Sequence, residues 1–202
     1  QGESSFVGLP CTFVRLTGCN LRCAWCDTEQ AFKGGKRMRR DDVREAALRF
    51  GTPLIELTGG EPLLQPGSIP LLREFCDSGR TVLVETSGEA DVSRVDPRVH
   101  KIMDLKAPGS GESHRNRWSN LTFLTARDEI KFVLADRIDY EWMRGVMTER
   151  RLLEIGCTLL ASPVWGKLDP KDLVRRVLED GLNVRVQVQL HKVIWGAAAQ
   201  GV

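Results

Sequence analysis

The chain has 202 residues, of which 42% are hydrophobic and 28% are charged, and its formal net charge is +2. This length suits one domain, here residues 1–202, and the balanced charge argues against a nucleic-acid or membrane-surface partner. We expect a cytoplasmic protein, because no apolar run approaches the ~18 residues of a membrane span and no signal peptide is recognisable.

Strand and helix patterns alternate along the chain after a loop at residues 1–10. Because Gln1 rather than methionine comes first, we expect a strand's worth of natural sequence to be missing upstream. Runs of apolar and β-branched residues predict strands at 11–17, 54–58, 81–85, 101–105, 129–134, 157–161 and 183–190. Helical spacing of apolar residues predicts helices at 41–50, 69–78, 140–150 and 169–180.

This alternation predicts an α/β fold, namely a partial, open TIM-like (β/α) barrel of about six to seven mostly parallel strands with helices outside. Polar and glycine-rich residues follow the strands, so we expect the functional site at the carboxyl edge of the sheet. A basic connector at residues 33–40 stands alone among the charges, which predicts a solvated loop rather than a nucleic-acid patch.

Three cysteines, Cys19, Cys23 and Cys26, follow the first predicted strand at spacings of four and three. Thiolates gathered this closely are soft metal ligands, and a closed zinc or [4Fe–4S] site takes four of them. Three ligands would leave one iron of a four-iron cluster open. A zinc knuckle or a redox pair is the alternative for a lone Cys-x2-Cys. Among the remaining cysteines we expect buried thiols, although Cys11 lies close enough in sequence to be considered as a spare ligand.

The spacing of the three cysteines, with Trp25 just before the third, resembles the cluster motif of the radical S-adenosylmethionine (SAM) enzymes. One β/α unit later, Gly59-Gly60-Glu61-Pro62 ends a strand and resembles the SAM-binding motif of that family. Paired glycines let a ligand approach the backbone closely. Without the cysteines this motif would be an ordinary turn, and Glu61 could be a turn carboxylate.

Two further positions carry chemistry of their own. Asp27 and Thr28 follow the last cysteine and offer the hard oxygens that Mg²⁺ prefers, although both are also common loop residues. Arg15 lies within the first strand between Val14 and Leu16. If it faces inward, a substrate carboxylate is a natural bidentate partner for it, and the alternative is an outward arginine on a half-exposed strand.

Motifs along almost the whole chain resemble one family, the 7-carboxy-7-deazaguanine synthases. They are Gln1-Gly2-Glu3, Phe13-Val14-Arg15-Leu16, Gly18-Cys19-Asn20-Leu21, Trp25-Cys26-Asp27-Thr28, Thr58-Gly59-Gly60-Glu61-Pro62, Glu85-Thr86 and the segment from Gln187 to Trp195. The resemblance implies a carbon–nitrogen lyase of queuosine and 7-deazapurine biosynthesis. Such an enzyme converts 6-carboxy-5,6,7,8-tetrahydropterin to 7-carboxy-7-deazaguanine with loss of ammonia.

The resemblance also implies the cofactors and partners. The cofactors are a [4Fe–4S] cluster, SAM and Mg²⁺, with SAM cleaved to a 5′-deoxyadenosyl radical and then regenerated. The partners are the pterin substrate, an electron donor such as flavodoxin, and a second copy of the chain in a homodimer. Neither nucleic acid nor a membrane is implied.

Carried over position by position, the resemblance implies these roles. The metal ligands are Cys19, Cys23, Cys26 and, for Mg²⁺, Thr28. The substrate residues are Gln1, Gly2, Glu3, Arg15, Thr58 and Val202. The SAM residues are Trp25, Cys26, Asp27, Gly60, Glu61, Ser87, Asp104, Leu105, Lys106, Ser162, Pro163, Val164, Trp165 and Gln189. Arg15, Asp27 and Thr28 are the candidate catalytic residues, whereas His191 and Lys192 are expected to have a structural or substrate-edge role.

The sequence departs from the family in three places. Ser4 and Ser87 stand where glycine and asparagine are usual, and the segment at 104–112 is longer than the usual form. Two other functions remain open at this stage. One is a glycyl-radical activase acting on a protein, and the other is a zinc-binding structural or interaction module built on the three cysteines and a histidine.

Overall fold

The computed structural model describes residues 1–199, and Val202 therefore lies outside the described residues. Its centre is one parallel sheet of seven strands whose spatial order follows their order in the chain. The strands are β1 (Cys11–Leu16), β2 (Leu54–Gly59), β3 (Thr81–Thr86), β4 (His100–Leu105), β5 (Glu129–Leu134), β6 (Thr158–Pro163) and β7 (Arg185–Val186). The predicted α/β fold, an open parallel barrel of about seven strands, is confirmed.

Six α-helices accompany the sheet within residues 1–199. They are α1 (Arg40–Arg49), α2 (Ser68–Asp77), α3 (Arg137–Glu149), α4 (Leu152–Ile155), α5 (Pro170–Glu179) and α6 (Leu190–Trp195). Asp169 caps α5 by accepting a hydrogen bond from the Lys171 N–H at 2.8 Å, and Pro170 lies in the first turn of that helix. No helix within residues 1–199 is both long and apolar enough to cross a membrane.

The two faces of the sheet differ in chemistry. The outer face carries two large apolar clusters, one built around β2, β3 and α2, the other around β5, β6 and α3. The inner face holds only a small apolar layer of Leu54, Leu83 and Ile102, with Phe6 and Cys11 packed against it. Above that layer the inner side chains are charged, so the carboxyl half of the barrel is polar.

The first ten residues enter the barrel rather than forming a free loop. The Ser5 N–H and hydroxyl donate to the Glu129 carboxylate on β5, and Phe6 joins the inner apolar layer. Ser4 is buried with φ of 64°, in the left-handed region that a non-glycine residue rarely adopts. The usual glycine at this position would adopt that conformation freely.

The predicted last strand at 183–190 is wrong for most of its length. Only Arg185 and Val186 pair with β6, and the chain then turns into α6, which the sequence did not predict. The Gln189 side chain donates instead to the carboxylates of Glu3 and Asp27, which draws the chain away from a continued ladder. The helix predicted at 140–150 begins earlier, because Asp136 accepts a hydrogen bond from the Asp139 N–H and caps it.

Candidate active site at the carboxyl edge of the sheet

The three clustered cysteines lie in the loop that follows β1, and their thiols are free and half-buried. This loop is held against the segment after β4. The Ala24 N–H donates to the Ser110 carbonyl at 3.0 Å, and the Arg22 N–H donates to a Glu112 carboxylate oxygen at 2.6 Å. The segment at 104–112, which is longer than the usual form in the family, therefore has a local role, since it holds the cysteine loop in place.

The donor set fits a cluster better than a single metal ion. Among residues 1–199, no three histidine, cysteine or carboxylate side chains are gathered closely enough to hold one ion. In a [4Fe–4S] cluster each thiolate binds a different iron, so the sulfur atoms need not meet at one point. Burial raises the pKa of Cys23, although the nearby Lys106 ammonium works in the opposite direction.

Cys11 is not a spare ligand for this loop. It begins β1, whereas the cysteine loop follows the end of that strand, roughly 17 Å away for a strand of this length. Burial, and then the Glu56 carboxylate, raise the pKa of Cys11 to about 12, as expected for an inert thiol packed beside the inner apolar layer.

The glycine pair at the end of β2 packs directly against the cysteine segment. A Cβ on Gly60 would lie 2.5 Å from the Gly18 carbonyl oxygen and 2.7 Å from the Cys19 Cβ. The Glu61 N–H also donates to the Gly18 carbonyl at 2.9 Å. The glycines therefore let two backbones meet, and this contact sets the position of Cys19 relative to the tip of β2.

Glu61 is fully buried, and its carboxylate is occupied by protein donors. It accepts hydrogen bonds from the Ser87 N–H and hydroxyl, both at 2.6 Å, from the Thr86 hydroxyl at 2.9 Å and from the Leu63 N–H at 3.0 Å. The side chains of Glu61 and Ser87, both predicted to contact SAM, thus bind each other. Their contact fixes the ends of β2 and β3 relative to each other, next to the expected SAM site.

Three other predicted SAM residues have side chains that bring no polar group to the site. Leu105 has no exposed surface and lies in the outer core, Pro163 is buried at the end of β6, and Val164 is 7% exposed. Any hydrogen bond from these three residues to a ligand would therefore come from their backbone. Trp25 and Trp165 are more open, and Trp165 keeps 47% of its surface exposed.

Three buried polar atoms near this edge have no hydrogen-bond partner among the described residues. They are Asp104 Oδ1, Ser162 Oγ and Gln187 Nε2, which belong to the last but one residue of β4, the last but one residue of β6 and the residue after β7. A buried polar atom left unpaired costs about 1–3 kcal/mol, so such atoms are rare unless a ligand or water completes them. Asp104 also binds the Lys106 ammonium at 2.7 Å through its other oxygen.

Buried charges fill the middle of the barrel. The Lys131 ammonium on β5 binds Glu3 at 3.0 Å and also binds Glu85 on β3. Gln1 donates to Glu56 on β2, whose second oxygen is buried and has no partner in the described part of the chain. Burial works to lower the pKa of Lys131, but the two carboxylates hold it well above its usual value. Burial and the Glu85 carboxylate raise the pKa of Glu56 well above its usual value.

Arg15 lies on the inner face of β1. Its neighbours Val14 and Leu16 pack in the outer core, and Arg15 pairs in register with Thr58 of β2. The Thr58 hydroxyl donates to Glu85 at 3.4 Å. The inward orientation considered for Arg15 therefore applies, and the guanidinium is solvent-exposed at the open side of the barrel.

Asp27 joins the cysteine loop to the end of the described chain. Its carboxylate binds the Lys192 ammonium at 2.6 Å and accepts from Gln189 at 3.0 Å and from the Thr28 hydroxyl at 2.8 Å. Burial alone would raise the pKa of Asp27, but Lys192 outweighs it and lowers that pKa well below its usual value. Gln189 also binds Glu3 at 2.9 Å, so these side chains form one network.

His191 and Gly2 are also in contact across this junction. A Cβ on Gly2 would lie 2.6 Å from His191 Nδ1, and the Leu190 N–H donates to the Gly2 carbonyl at 2.9 Å. The close approach explains a glycine at this position. The structure thus brings Gly2, Glu3, Asp27 and Gln189 together, as the sequence predicted for one site, and adds Lys192, Lys131 and Glu56 to it.

Comparisons with known proteins agree with this geometry. The model of the radical SAM superfamily matches residues 13–147. The chain is 45% identical to the 7-carboxy-7-deazaguanine synthase of Koribacter versatilis (strain Ellin345), over all of this chain and 96% of that protein. It is 46% identical to the enzyme of the same name from Chlorobaculum tepidum, over all of this chain and 93% of that protein.

Two solved structures share the fold at low sequence identity. Streptococcus suis SuiB bound to S-adenosylmethionine gives a TM-score of 0.63 at 12% identity, over 88% of this chain and 49% of that chain. Archaeal TYW1 gives 0.61 at 16% identity, over 89% of this chain and 75% of that chain. The chain thus spans about half the length of SuiB, and these likenesses concern the fold alone.

Proposed function

Because this chain belongs to the 7-carboxy-7-deazaguanine synthase family of radical SAM enzymes, we propose that it converts 6-carboxy-5,6,7,8-tetrahydropterin to 7-carboxy-7-deazaguanine at the carboxyl edge of its sheet. Enzymes of this superfamily use a [4Fe–4S] cluster and SAM. When bound, these two supply the radical that removes a hydrogen atom from the substrate. The protein holds both reactants in register and excludes competing donors.

The three thiols would hold the cluster from one side. Cys19, Cys23 and Cys26 lie in a single loop supported from two directions, by the tip of β2 and by the segment after β4. Asp104 and Ser162, each with an unpaired buried oxygen, would complete their hydrogen bonds with polar groups of SAM. The exposed backbone of the β2 tip would lie beside the methionine part of that cofactor.

The charged interior supports the choice of substrate. Glu3, Glu56 and Glu85 outnumber the single ammonium of Lys131 in the same layer, so the layer offers acceptors to N–H groups. A reduced pterin carries several such groups along its pyrimidine ring. Arg15, at the open side with no ion-pair partner among residues 1–199, would bind the 6-carboxylate.

Mg²⁺ would bind beside this carboxylate. The Thr28 hydroxyl and the Asp27 carboxylate lie within 2.8 Å of each other and offer hard oxygens. Lys192 forms a short ion pair with the Asp27 carboxylate, so it would fix the orientation of Asp27 toward the substrate.

A homodimer in the cytoplasm, with a flavodoxin as electron donor, completes the proposal. The outer side of α6 exposes Val193, Ile194 and Trp195, each by more than half of its surface, at 59%, 58% and 62%. Contiguous apolar side chains of this size are typical of a surface that another chain covers. A reducing compartment is required to keep free cysteines and an oxygen-sensitive cluster intact.

The observation that carries the proposal is the meeting of the cysteine loop, the β2 tip and the charged interior at one edge. Its test is an anaerobic assay of the reconstituted protein with SAM, reductant, Mg²⁺ and the tetrahydropterin, with product identified by mass spectrometry. Cys23→Ala should lose both iron and reductive SAM cleavage. Arg15→Ala should keep iron and SAM cleavage but bind the pterin about tenfold or more weakly, because a bidentate charged contact is lost. Equal loss of iron in both variants would contradict these roles.

A further inference from the structure

The Lys131 ammonium joins three parts of the chain inside the barrel. Its neighbours on β5, Ile130 and Phe132, pack in the outer core, so Lys131 lies on the inner face, where its side chain is only 6% exposed. The ammonium binds Glu3 of the opening segment at 3.0 Å and also binds Glu85 of β3. These partners are 128 and 46 residues away in sequence. One side chain therefore fixes the opening segment against two strands.

The two carboxylates that bind Lys131 keep acceptor capacity of their own, because each uses one oxygen for the ammonium. Within residues 1–199, the other Glu85 oxygen accepts only a long hydrogen bond of 3.4 Å, from the Thr58 hydroxyl. The other Glu3 oxygen accepts from Gln189 at 2.9 Å. The Glu85 and Glu3 side chains are 28% and 18% exposed, so a ligand in the polar interior can reach them. Since a carboxylate oxygen has two lone pairs, both side chains can accept further hydrogen bonds from such a ligand.

A second buried lysine forms an ion pair that serves the fold alone. Lys101 on β4 binds Asp128 at 3.0 Å, and the two side chains are 4% and 0% exposed. The Asp128 carboxylate also accepts from the Lys101 N–H at 2.8 Å, from the Thr125 N–H at 2.8 Å and from the Thr125 hydroxyl at 3.0 Å. Asp128 is thus enclosed and occupied by protein donors, whereas the carboxylates around Lys131 are partly exposed. This difference points to a ligand as a further partner of the Lys131 carboxylates.

The ammonium also keeps a partner in the form that accepts hydrogen bonds. Burial would raise the pKa of Glu3, but Lys131, together with the Gln189 amide, outweighs burial and lowers that pKa. An ionised carboxylate only accepts hydrogen bonds, whereas a protonated one also donates. Lys131 thus presents Glu3 to the interior as an acceptor for N–H groups.

We propose that Lys131 is a positioning residue for substrate recognition, which orients the free acceptor sites of Glu3 and Glu85 toward the 2-amino and N3–H groups of the pterin ring. The inference rests on the proposed function, because the pterin is the substrate proposed there. A 2-amino-4-oxo pyrimidine ring carries these two donors side by side, and hydrogen bonds to an ionised carboxylate are stronger than those to a neutral acceptor. A site built on such acceptors rejects an analogue that lacks the amino group, since an acceptor then loses its partner.

The test measures how well the anaerobically reconstituted enzyme distinguishes two ligands in the presence of SAM and Mg²⁺. They are 6-carboxypterin, a non-reacting oxidised analogue that keeps the amino group, and 6-carboxylumazine, in which an oxygen replaces that group. Equilibrium dialysis gives the dissociation constant of each ligand, and the ratio of the two constants is the readout.

Three variants change Lys131 itself. Lys131→Met removes the charge, Lys131→Gln removes the charge but keeps a hydrogen-bond donor, and Lys131→Arg keeps the charge. Lys101→Met is the matched control, because it also takes a buried lysine out of an ion pair with a carboxylate.

The unmodified enzyme should bind 6-carboxypterin about tenfold or more tightly than 6-carboxylumazine, as expected for one charge-assisted hydrogen bond. Lys131→Met should reduce this preference to about threefold or less, because the acceptors are no longer held in place. Lys131→Gln should lie between the two, and Lys131→Arg should keep most of the preference. Lys101→Met should lose stability but keep the preference, and all four variants should keep the iron content of the unmodified enzyme.

An unmodified enzyme without this preference, or a Lys131→Met variant that keeps it, would overturn the proposal. An equal loss in Lys101→Met would do the same, because the effect would then follow stability rather than the site. If Lys131→Met does not fold, Lys131→Gln decides, and an unchanged preference in that variant overturns the proposal. Conversion of the tetrahydropterin to product by the unmodified enzyme tests the proposed function separately, so the two can fail independently.

Discussion

Glu61→Ala should destabilise the protein strongly, even without any cofactor. The carboxylate has no exposed surface and accepts from two backbone N–H groups, those of Leu63 and Ser87, and from the hydroxyls of Thr86 and Ser87. The hydroxyls can rotate to other acceptors, but the N–H groups cannot. Each buried donor left unpaired costs about 1–3 kcal/mol, so the free energy of unfolding should fall by about 2–6 kcal/mol.

Urea denaturation of the cofactor-free protein, followed by far-ultraviolet circular dichroism, measures this loss. Glu45→Ala is the matched control, since the Glu45 side chain is 60% exposed and its ion pair with Arg49 spans 3.9 Å. That control should change stability by less than about 1 kcal/mol. A loss of the same small size for Glu61→Ala would refute the reasoning, because it would mean that Glu61 is free to serve a ligand rather than the strand tips.

Three further predictions concern the same edge of the sheet. Gly60→Ala should lower iron incorporation, because the new Cβ would clash with the Gly18 backbone and with the Cys19 Cβ. Gly67→Ala should not, since no atom lies within 4 Å of its Cβ, and iron analysis after reconstitution compares the two variants. The pKa of Glu56 is raised in the folded protein. As the pH rises above about 4.5, Glu56 therefore loses its proton in the unfolded chain before it does so in the folded one, and the free energy of unfolding falls. Glu56→Gln lacks this titration, so the free energy of unfolding should favour the variant over the unmodified protein more at pH 8 than at pH 4.5. Urea titrations at both pH values measure this difference, and a change in the opposite direction would contradict the prediction. Lys192→Met removes the 2.6 Å contact with Asp27 and should speed amide hydrogen exchange in α6 without changing iron content, as mass spectrometry would report.

The fold was predictable because its signals are local. Six of the seven strands are short apolar runs followed by glycine or polar residues, and each lies within a residue or two of its predicted bounds. β7 and α6 were not predictable in this way, since Gln189 and Lys192 take their positions from Glu3 and Asp27. Those partners are 186 and 165 residues away in sequence, beyond any pattern within a window.

The candidate site, like the fold, was predictable only where its signals are local in sequence. The cysteine loop and the glycine pair could be read from spacing, because each is one continuous stretch. The buried Lys131 could not, since its carboxylate partners, Glu3 and Glu85, come from the start of the chain and from β3. The structural role of Glu61 was likewise not predictable, because only the folded structure brings Thr86 and Ser87 to its carboxylate oxygens.

The strand order has a consequence for how the enzyme is made. Each strand pairs with the one synthesised just before it, so the sheet can grow on the ribosome one strand at a time. The contacts of Gly2 and Asp27 are different, because Gly2 binds Leu190 and Asp27 binds Gln189 and Lys192, which are synthesised long after them. We expect this side of the polar interior to stay open to solvent until residues 189–192 have been synthesised and have met the first residues of the chain.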